Sequence, residues 1–323
     1  MKYIFITRCG KDGYGHLFRC KAISQAFSEV GIEYNFIVNS KIDHLNLINN
    51  RKLYCFDWYK DKKKLFNILR DEKNIILDTL SIKKNLFNEI KKNAKNFVYI
   101  DDYKRWKHNK GVIIDWTINQ RKKPNSKNVK FLHGKEYAAL RKPFWDLKKR
   151  KLRKQIKRLF VSFSNDKNNL LPTVITEIRK VFPEQTLEIV ITSKTLLSRI
   201  RKDNKTNINI NLTDKRIKNL MLKSDLAIAA GGQTLYELAA TGTPSIAIVS
   251  NENQFEDTYG FENIKFLKNC GNWRSKDFIS NLYKYLDQLK SYEARSKMSK
   301  IGQNAIDGNG ARRIAQFIKE NTK

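Results

Sequence analysis

The sequence has few of the residues that build disulfide frameworks and metal centres. Its 323 residues include four cysteines and four histidines, and no two cysteines form a CxxC pair. Scattered cysteines are typical of a reducing compartment and argue against a structural zinc site. No DxD-like pair of carboxylates points to another metal. We therefore predict a cytoplasmic protein that uses neither a metal nor a cofactor.

Long apolar runs and acidic residues are also scarce. No apolar run approaches the roughly 20 residues that span a bilayer, and residues 1–7 predict a short strand, not a signal peptide. The 32 acidic residues face 64 Lys and Arg, a formal net charge of +32. This excess suits polyanions and leaves weak association with an anionic membrane surface open. Because no nucleic-acid-binding motif accompanies it, we expect no nucleic-acid partner. The oligomeric state is left open.

Short apolar runs alternate with helical stretches throughout the chain. The strand candidates are residues 3–7, 34–38, 74–78, 97–101, 112–115, 159–163, 187–192, 225–230 and 245–249. They are rich in Ile, Val and Phe without polar alternation, which is typical of parallel strands buried on both faces. Helices are predicted between them, for example over 16–30, 171–181, 215–223 and 234–241. This order predicts right-handed βαβ units.

One basic stretch interrupts the alternation. Residues 147–158 contain eight Lys or Arg with little apolar material, which indicates a solvated linker between domains. The sequence therefore predicts an N-terminal domain over 1–150 and a C-terminal domain over 151–323. Both are expected to be Rossmann-like, doubly wound parallel-sheet domains facing a central cleft, where open α/β sheets place ligands at the carboxyl ends of their strands.

The first loop that contains candidate functional residues follows the first strand. It contains Gly13, Gly15 and His16 and opens the first helix. The glycines allow close backbone approach to a ligand, and a helix N-terminus favours anions. The spacing differs from the GxGxxG of dinucleotide binders. His16 is a candidate general base, although a lone histidine in this position can also simply cap or pack.

The second loop lies between a later strand and helix. Gly231, Gly232 and Thr234 can form a nest of donors for phosphate oxygens. Glu237 follows about one helical turn later, at a distance that suits a ribose diol. The lysine of a P-loop is missing. The alternative interpretation is a glycine-tightened turn without a ligand.

Aspartates end two strands of the first half. Asp78, Asp101 and Asp102 lie where carboxylates bind substrate hydroxyls or a metal. Such residues also frequently cap the helix that follows. Both interpretations stay open, and no metal is invoked.

These loops belong to a pattern that runs nearly the full length of the chain. It comprises Gly13-x-Gly15-His16-x-x-Arg19-Cys20, Asp78, Ile100-Asp101-Asp102, Gly134-x-x-Tyr137-Ala138-x-Leu140-Arg141-x-x-Phe144, Ala230-Gly231-Gly232-x-Thr234-x-Tyr236-Glu237, Gly242-x-Pro244-Ser245, Asn253-Gln254 and Asp307-Gly308-x-Gly310-Ala311-x-Arg313. In it the chain resembles the UDP-2,4-diacetamido-2,4,6-trideoxy-β-L-altropyranose hydrolases of pseudaminic acid biosynthesis. That family shares the GT-B fold with the peptidoglycan glycosyltransferase that uses UDP-GlcNAc.

The resemblance implies a role for each motif. UDP would bind the C-terminal half, with its diphosphate at Gly231, Gly232 and Thr234 and its ribose at Glu237. Asn253 and Gln254 would reach the nucleotide-sugar. His16 would act as general base for water attacking the anomeric carbon. The remaining substrate-binding candidates are Gly13, Gly15, Arg19, Asp78 and Asp102. The last helix, around residues 311–319, would cross back to the N-terminal domain.

Three function classes follow from these observations. The first is a hydrolase that releases UDP from a UDP-sugar. The second is a GT-B glycosyltransferase that uses the same UDP site with an acceptor. The third is a non-catalytic binder of a nucleotide-sugar or of nucleic acid. The chain departs from the family pattern at Ser164-Asn165 and at Leu80, around the expected sugar pocket, so the sugar itself stays open.

Overall fold

The structure, a computed structural model, describes residues 1–10, 14–40, 53–102, 110–119, 122, 126–163, 166, 168–192, 194–200, 203–210 and 212–321. These residues form two compact units. One comprises Met1–Lys142 together with Asn309–Lys323, and the other comprises Pro143–Gly308. Each unit contains one open sheet in which every strand pair is parallel. The predicted α/β class with two Rossmann-like doubly wound domains is confirmed.

The strands and helices follow each other in the alternation expected from the sequence. The strands are β1 (Lys2–Arg8), β2 (Glu33–Asn39), β3 (Leu53–Cys55), β4 (Asn74–Asp78), β5 (Asn96–Ile100), β6 (Gly111–Asp115), β7 (Val129–His133), β8 (Arg158–Ser162), β9 (Thr186–Ile191), β10 (Thr206–Ile210), β11 (Leu226–Ala230), β12 (Ser245–Val249) and β13 (Leu267–Asn272). The helices are α1 (Gly15–Glu29), α2 (Lys62–Leu69), α3 (Lys84–Asn93), α4 (Leu170–Val181), α5 (Asp214–Lys223), α6 (Gln233–Ala240), α7 (Phe255–Asn263), α8 (Phe278–Gln288), α9 (Tyr292–Ala305) and α10 (Gly310–Asn321). In the described part of the chain, no helix combines the length and apolarity needed to cross a bilayer.

The first sheet has the order β3-β2-β1-β4-β5-β6-β7. Strands β2 and β3 lie on one side of β1, and β4 to β7 lie on its other side. The strand order therefore reverses between β1 and β4, which makes this junction a topological switch point. Leu65 and Leu69 of α2 and Phe87 of α3 pack on one face, in a core with Ile4 and Ile6 of β1. On the other face α1 packs against β1 and contacts α10.

The second sheet has the order β10-β9-β8-β11-β12-β13, and its switch point lies between β8 and β11. The core on one face joins α4 and α8 to the odd-numbered residues of β9, such as Leu187 and Ile189. Strand β11, Leu226–Ala230, is buried along its whole length. This burial explains its apolar composition, because a central parallel strand has a helical layer on each face.

The basic stretch 147–158 belongs to the second unit, which begins at Pro143, although most of its Lys and Arg side chains are exposed. The Arg150 guanidinium donates to the carbonyl oxygens of Met221 and Ser224 at 3.2 and 2.8 Å. Arg153 donates through Nε to the buried Asp225 at 2.8 Å. These bonds tie the stretch to the second unit, because the carbonyls and carboxylate that it meets require donors once they are buried.

Candidate functional site

His16 lies in the first turn of α1, the helix that follows β1 in the chain. The helix begins at Gly15, and its N-cap residue Tyr14 makes no side-chain capping bond. A Cβ at Gly15 would meet nothing within 4 Å, so this glycine is not required by packing in the described structure. Gly13 lies outside the described residues. The position of His16 at the sheet's carboxyl edge follows the sequence prediction.

The imidazole of His16 is paired with a buried carboxylate. Its Nδ1 lies 2.8 Å from Oδ1 of Asp78, the last residue of β4, and this carboxylate is fully buried. Because β1 and β4 are neighbours at the switch point, the first turn of α1 is brought directly over the end of β4. The result is a histidine held by an aspartate at the edge of the sheet where doubly wound domains bind ligands.

Arg19 lies one turn further along α1 and forms a salt bridge with the same carboxylate. Its Nε lies 2.6 Å from Oδ2 of Asp78 and its Nη2 lies 2.6 Å from Oδ1, a two-pronged pair. Nη1 donates to Oδ2 of Asp102, which follows β5. The guanidinium carbon lies 5.3 Å from the ring centroid of Trp116, the residue after β6. Residues from α1 and from the carboxyl ends of β4, β5 and β6 therefore form one buried network next to His16.

Charge and burial fix the protonation of this network. Burial alone would raise the pKa of Asp78, but the opposing charge of Arg19 and then His16 lower it well below its ordinary range. The Cys20 thiol lies 3.7 Å from Oδ2 of Asp78. Burial, reinforced by the charge of Asp78, raises the pKa of Cys20 well above its ordinary value. Asp78 is therefore a carboxylate and Cys20 a neutral thiol near neutral pH.

The ionised state of Asp78 determines the tautomer of His16. Nδ1 also lies 2.9 Å from Nη2 of Arg19, but a guanidinium has no acceptor. Since the carboxylate is the acceptor within reach, we assign the Nδ1 proton to a bond with Asp78. The lone pair of the imidazole then lies on Nε2, which has no hydrogen-bond partner among the described residues.

The side chains of Asp78, Asp102 and Arg19 are at most 7% exposed and contact one another. Their direct contact with a substrate stays a prediction. A pattern of strand-end carboxylates locates these residues but does not show that an arginine of α1 would neutralise them. Trp116 was missed altogether, although its place directly after a strand is a signal that could have indicated it.

The second candidate region follows β11 in the other unit. Gly232 has φ +97° and ψ −153°, a conformation open almost only to glycine. It is the N-cap of α6, and no side chain caps this helix end. The first turn of α6 therefore presents backbone N–H groups at the carboxyl edge of the sheet, with the positive end of the helix dipole.

Packing explains why position 231 is a glycine. A Cβ at this position would lie 2.6 Å from Gln254 Cβ and 2.6 Å from Thr258 Oγ1. The backbone after β11 therefore passes so closely under α7 that only glycine fits. A Cβ at Gly232, in contrast, would meet no atom within 4 Å. The tight-turn interpretation thus accounts for Gly231, while the backbone conformation accounts for Gly232.

The other predicted residues of this region lie nearby. Thr234 is half-buried in the first turn of α6, and Glu237 is buried one turn later. Asn253 is half-buried in the short 3-10 turn Glu252–Gln254 that precedes α7. Gln254 uses its carbonyl oxygen to accept from the backbone N–H and the hydroxyl of Ser250, at 2.9 and 3.0 Å. Gln254 therefore secures the turn after β12 in addition to any contact with a ligand.

Three residues mark departures from the family pattern. Ser164 and Asn165, where the chain departs from the family pattern, lie outside the described residues. Leu80, the other departure, lies two residues after Asp78 and is partly buried. Its bearing on the sugar stays a prediction.

Sequence comparisons give two distant relatives. No protein-family model matches the chain. An uncharacterized protein of Methanocaldococcus jannaschii is 25% identical over 281 residues, which cover 79% of this chain and 57% of that protein. The pseudaminic acid cytidylyltransferase and UDP-2,4-diacetamido-2,4,6-trideoxy-β-L-altropyranose hydrolase of Helicobacter pylori is 23% identical over 265 residues, which cover 80% of this chain and 46% of that protein. The chain thus spans about half the length of the curated relatives it matches.

Solved structures resemble the whole chain. MurG of Acinetobacter baumannii has a TM-score of 0.67 at 14% identity, covering 99% of this chain and 100% of that one. MnaA of S. aureus, solved with UDP, has a TM-score of 0.70 at 12% identity, covering 99% and 96%. UDP-GlcNAc 2-epimerase of Neisseria meningitidis, bound to UDP-GlcNAc, has a TM-score of 0.67 at 12% identity, covering 99% and 100%. At these identities the likeness concerns the fold, and the predicted GT-B-like architecture is confirmed.

Proposed function

We propose that this chain hydrolyses a UDP-sugar at its anomeric carbon and releases UDP. The observation that carries the proposal is the His16–Asp78 pair, in which a buried carboxylate holds Nδ1 at 2.8 Å and leaves Nε2 available as a base. The resemblance of the surrounding motif to a hydrolase family supports the same reaction. So does the Helicobacter pylori relative, whose name includes a UDP-sugar hydrolase.

In the proposed step, Nε2 of His16 takes a proton from water as the water oxygen bonds to the anomeric carbon. The bond from that carbon to the diphosphate oxygen breaks, and its electron pair leaves with UDP. Asp78 favours the step because it stabilises the imidazolium that forms. Its lowered pKa keeps it charged throughout. The products are UDP, the free sugar and the proton on His16, which is released to solvent.

We propose that the second unit binds the UDP. The backbone N–H groups at Gly232 and the first turn of α6 would receive the diphosphate, with the Thr234 hydroxyl as a further donor. These donors would also stabilise the charge that develops on the leaving diphosphate. Glu237 would accept from the ribose hydroxyls, and Asn253 would contact the nucleotide-sugar.

The sugar that we propose is 2,4-diacetamido-2,4,6-trideoxy-β-L-altropyranose, an intermediate on the way to pseudaminic acid. This assignment rests on the family resemblance and on the relative at 23% identity, and the departures at Leu80 and Ser164-Asn165 bear on it directly. We further propose that the protein acts in the cytoplasm. All four cysteines are free thiols, as a reducing compartment would keep them.

A glycosyltransferase is the second candidate. The observation in its favour is that solved glycosyltransferases, including a spinosyn rhamnosyltransferase at a TM-score of 0.66, have the same fold over 98% of this chain. The same base could then take a proton from an acceptor hydroxyl. An acceptor requirement separates the two reactions, because the hydrolase needs only water.

The proposal is tested by measuring UDP release from a panel of UDP-sugars without acceptor, comparing wild-type protein with His16→Ala. We expect release by the wild type and a fall in kcat of about 10²- to 10⁴-fold in the variant, the usual contribution of a general base. UDP binding measured by calorimetry serves as the control for folding and should change less than about twofold. Binding of UDP without release would contradict the hydrolase and favour a glycosyltransferase. Conversion of the UDP-sugar into an epimer would contradict both.

A further inference from the structure

We propose that a cavity between α5 and the strands β9 and β10 is a second binding site, and that it takes a sugar phosphate. The cavity has a volume of about 730 Å³ and is lined by residues of both strands and of the helix. This volume lies within the range of about 300–1,000 Å³ that is usual for small-molecule sites. In the strand order, β8 separates the cavity from β11, whose turn is proposed to receive UDP. The site is therefore additional to the proposed function and does not depend on it.

The floor of the cavity is a polar patch on one face of the sheet. Glu188 of β9 lies next to Asn207 of β10 in the strand register, and its side chain is 4% exposed. Its Oε1 accepts from the guanidinium of Arg158 and, at 3.1 Å, from Nδ2 of Asn207. Its Oε2 accepts from Nδ2 of Asn209 at 3.0 Å. Because both amide nitrogens face Glu188, the Oδ1 atoms of the two asparagines remain as acceptors for the hydroxyls of a ligand.

Stability alone does not explain this floor. Helices cover the faces of a doubly wound sheet, and the strand positions beneath them are usually apolar. Pairing with Arg158 satisfies the carboxylate of Glu188 but does not favour it over an apolar side chain, since replacing a buried ion pair by apolar residues is often neutral or stabilising. Contact with a polar ligand supplies the reason that packing does not.

The wall of the cavity is one face of α5. Arg216, Asn219, Leu220 and Lys223 line it, at intervals that place side chains on one side of a helix. A helix that packs on a sheet presents an apolar stripe with this spacing, but three of these four side chains are polar or charged. Met221 is the one fully buried residue of α5. Along this face the helix therefore borders the cavity and does not pack on the sheet.

The charges of the wall indicate an anion. In the described part of the chain, neither the Arg216 guanidinium nor the Lys223 ammonium forms an ion pair or a side-chain hydrogen bond. Glu188, the carboxylate in the floor, is already paired with Arg158. Two positive charges are thus left, and a phosphate monoester carries a charge of about −1.5 to −2 near neutral pH. The two cations lie about 10 Å apart along the helix, so their long side chains can both reach a phosphate held between them.

The remaining lining groups suit a sugar. The amides of Asn207, Asn209 and Asn219 offer donors and acceptors for hydroxyls. The Asn219 amide forms no hydrogen bond with another described residue. Leu212 and Leu220 supply apolar surface for the C–H groups of a ring. Inorganic phosphate would leave the amides and this apolar surface unused, so the cavity suits a hydroxylated phosphate ester better than a free anion.

Calorimetric titration of the full chain with glucose 6-phosphate, ribose 5-phosphate and N-acetylglucosamine 1-phosphate tests the proposal. The titrations use about 0.15 M salt, which screens long-range attraction by the basic surface. We expect at least one of these compounds to bind at a single site with a Kd of about 1 mM or lower. Inorganic phosphate and the unphosphorylated sugar are the reference ligands, and each should bind at least about tenfold more weakly.

Arg216→Gln combined with Lys223→Gln removes the two unpaired charges and should weaken binding of the sugar phosphate at least about tenfold. The matched control is Lys215→Gln combined with Lys218→Gln, which removes the same charge from the same helix at positions that do not line the cavity. It should change the Kd by less than about twofold. Asn219→Ala should weaken binding about threefold through the loss of hydrogen bonds to the sugar. Far-UV circular dichroism establishes that each variant folds.

Absence of binding of all the sugar phosphates by the wild type would overturn the proposal. So would equal losses in the two double variants, since binding would then be a general effect of the basic surface. Inorganic phosphate that binds as tightly as the sugar phosphate would also overturn it, because the amides would then have no part in recognition. Gly232→Ala, at the turn proposed for the diphosphate, should bind the sugar phosphate as the wild type does. Loss of binding in Gly232→Ala would assign the ligand to that turn and overturn the proposal of a separate site.

Discussion

The two candidate regions lie at equivalent places in two similar domains, but one consists of polar side chains and the other of backbone N–H groups. In the first unit the polar groups are side chains: His16, Arg19, Asp78 and Asp102 form a buried charged network. In the second unit the turn after β11 offers backbone N–H groups, held in place by two glycines. Both regions follow the strand next to the switch point of their sheet.

This difference predicts different sensitivities. A network of side chains depends on pH, because its members gain and lose protons. A backbone turn does not titrate, but it depends on the absence of a Cβ. If the first region supplies a base and the second binds phosphate, substitutions in one should change stability or rate with pH, and substitutions in the other should change affinity. The following predictions test this contrast, from the largest expected effect to the smallest.

The largest effect is expected for Asp78→Asn in the first region. The substitution removes the charge of one of the two buried carboxylates that Arg19 contacts, and we expect a loss of about 3 kcal/mol in the free energy of unfolding at pH 7. Because the pKa of Asp78 is lowered in the folded protein, its stabilisation is present above the unfolded pKa. It is lost as pH falls below about 4. The difference between wild type and variant should therefore shrink towards acid pH.

Urea unfolding at several pH values from 7 down to the lowest at which the wild type folds measures this difference. His16→Ala is the reference variant, since it removes the imidazole and leaves the Arg19–Asp78 pair intact. It should cost less than Asp78→Asn at pH 7. A constant gap between wild type and Asp78→Asn over the whole pH range would contradict the ionised state assigned to Asp78.

The sequence predicted the interior of both sheets and missed their edges. All nine predicted strands are present, and the four that were missed, β3, β7, β10 and β13, are the edge strands of the two sheets. Strand β10, Thr206–Ile210, shows why. It alternates Asn and Ile, and none of its residues is fully buried. Apolar composition identifies a strand covered on both faces, whereas an edge strand needs its neighbour to be recognised.

The candidate site, too, could be predicted from the sequence only in part. The position of His16 and the strand-end carboxylates could be predicted because the carboxyl ends of parallel strands share one edge. The pairing of Arg19 with both aspartates could not. Whether a carboxylate faces a substrate or an arginine depends on side-chain packing between a helix and two strands that are far apart in the sequence. Arg150 gives a second example, since its neighbours in the sequence indicated solvent and its carbonyl partners are contributed by α5 and the residue after it.

A smaller effect is expected for Gly232→Ala in the second region. The φ of +97° is unfavourable for alanine, so we expect a loss of about 1–2 kcal/mol of stability. We also expect at least a tenfold loss of UDP affinity, because relief of the strain would turn the backbone N–H groups away from the diphosphate. Calorimetry with UDP and urea unfolding measure the two quantities.

Gly271→Ala is the matched control for Gly232→Ala. Gly271 lies in β13 of the same unit with φ +78°, and a Cβ there would also meet nothing within 4 Å. It should lose similar stability while UDP affinity stays within about twofold of wild type. Equal losses of affinity in both variants would attribute the effect of Gly232→Ala to stability alone and would leave the turn without a role in binding.

The smallest effect is expected for Glu237→Gln. If this buried carboxylate accepts from the ribose, the amide that replaces it keeps one acceptor and loses the charge. We expect UDP affinity to fall about fivefold, or about 1 kcal/mol. The neighbouring variant Tyr236→Phe is the control. It removes the 2.6 Å bond from Tyr236 to Asp257 in the same helix and should lower stability without changing UDP affinity.

A ligand without the 2′-hydroxyl separates a direct contact of Glu237 from an indirect one. Wild-type protein should bind 2′-deoxy-UDP more weakly than UDP, since the proposed hydrogen bond from the 2′-hydroxyl to Glu237 cannot form. Glu237→Gln should discriminate less between the two ligands, because the contact it weakens is the one that the deoxy ligand lacks. If the variant lowers the affinity for both ligands by the same factor, Glu237 supports the helix rather than the ribose. The second region would then bind UDP without a carboxylate contact to the ribose.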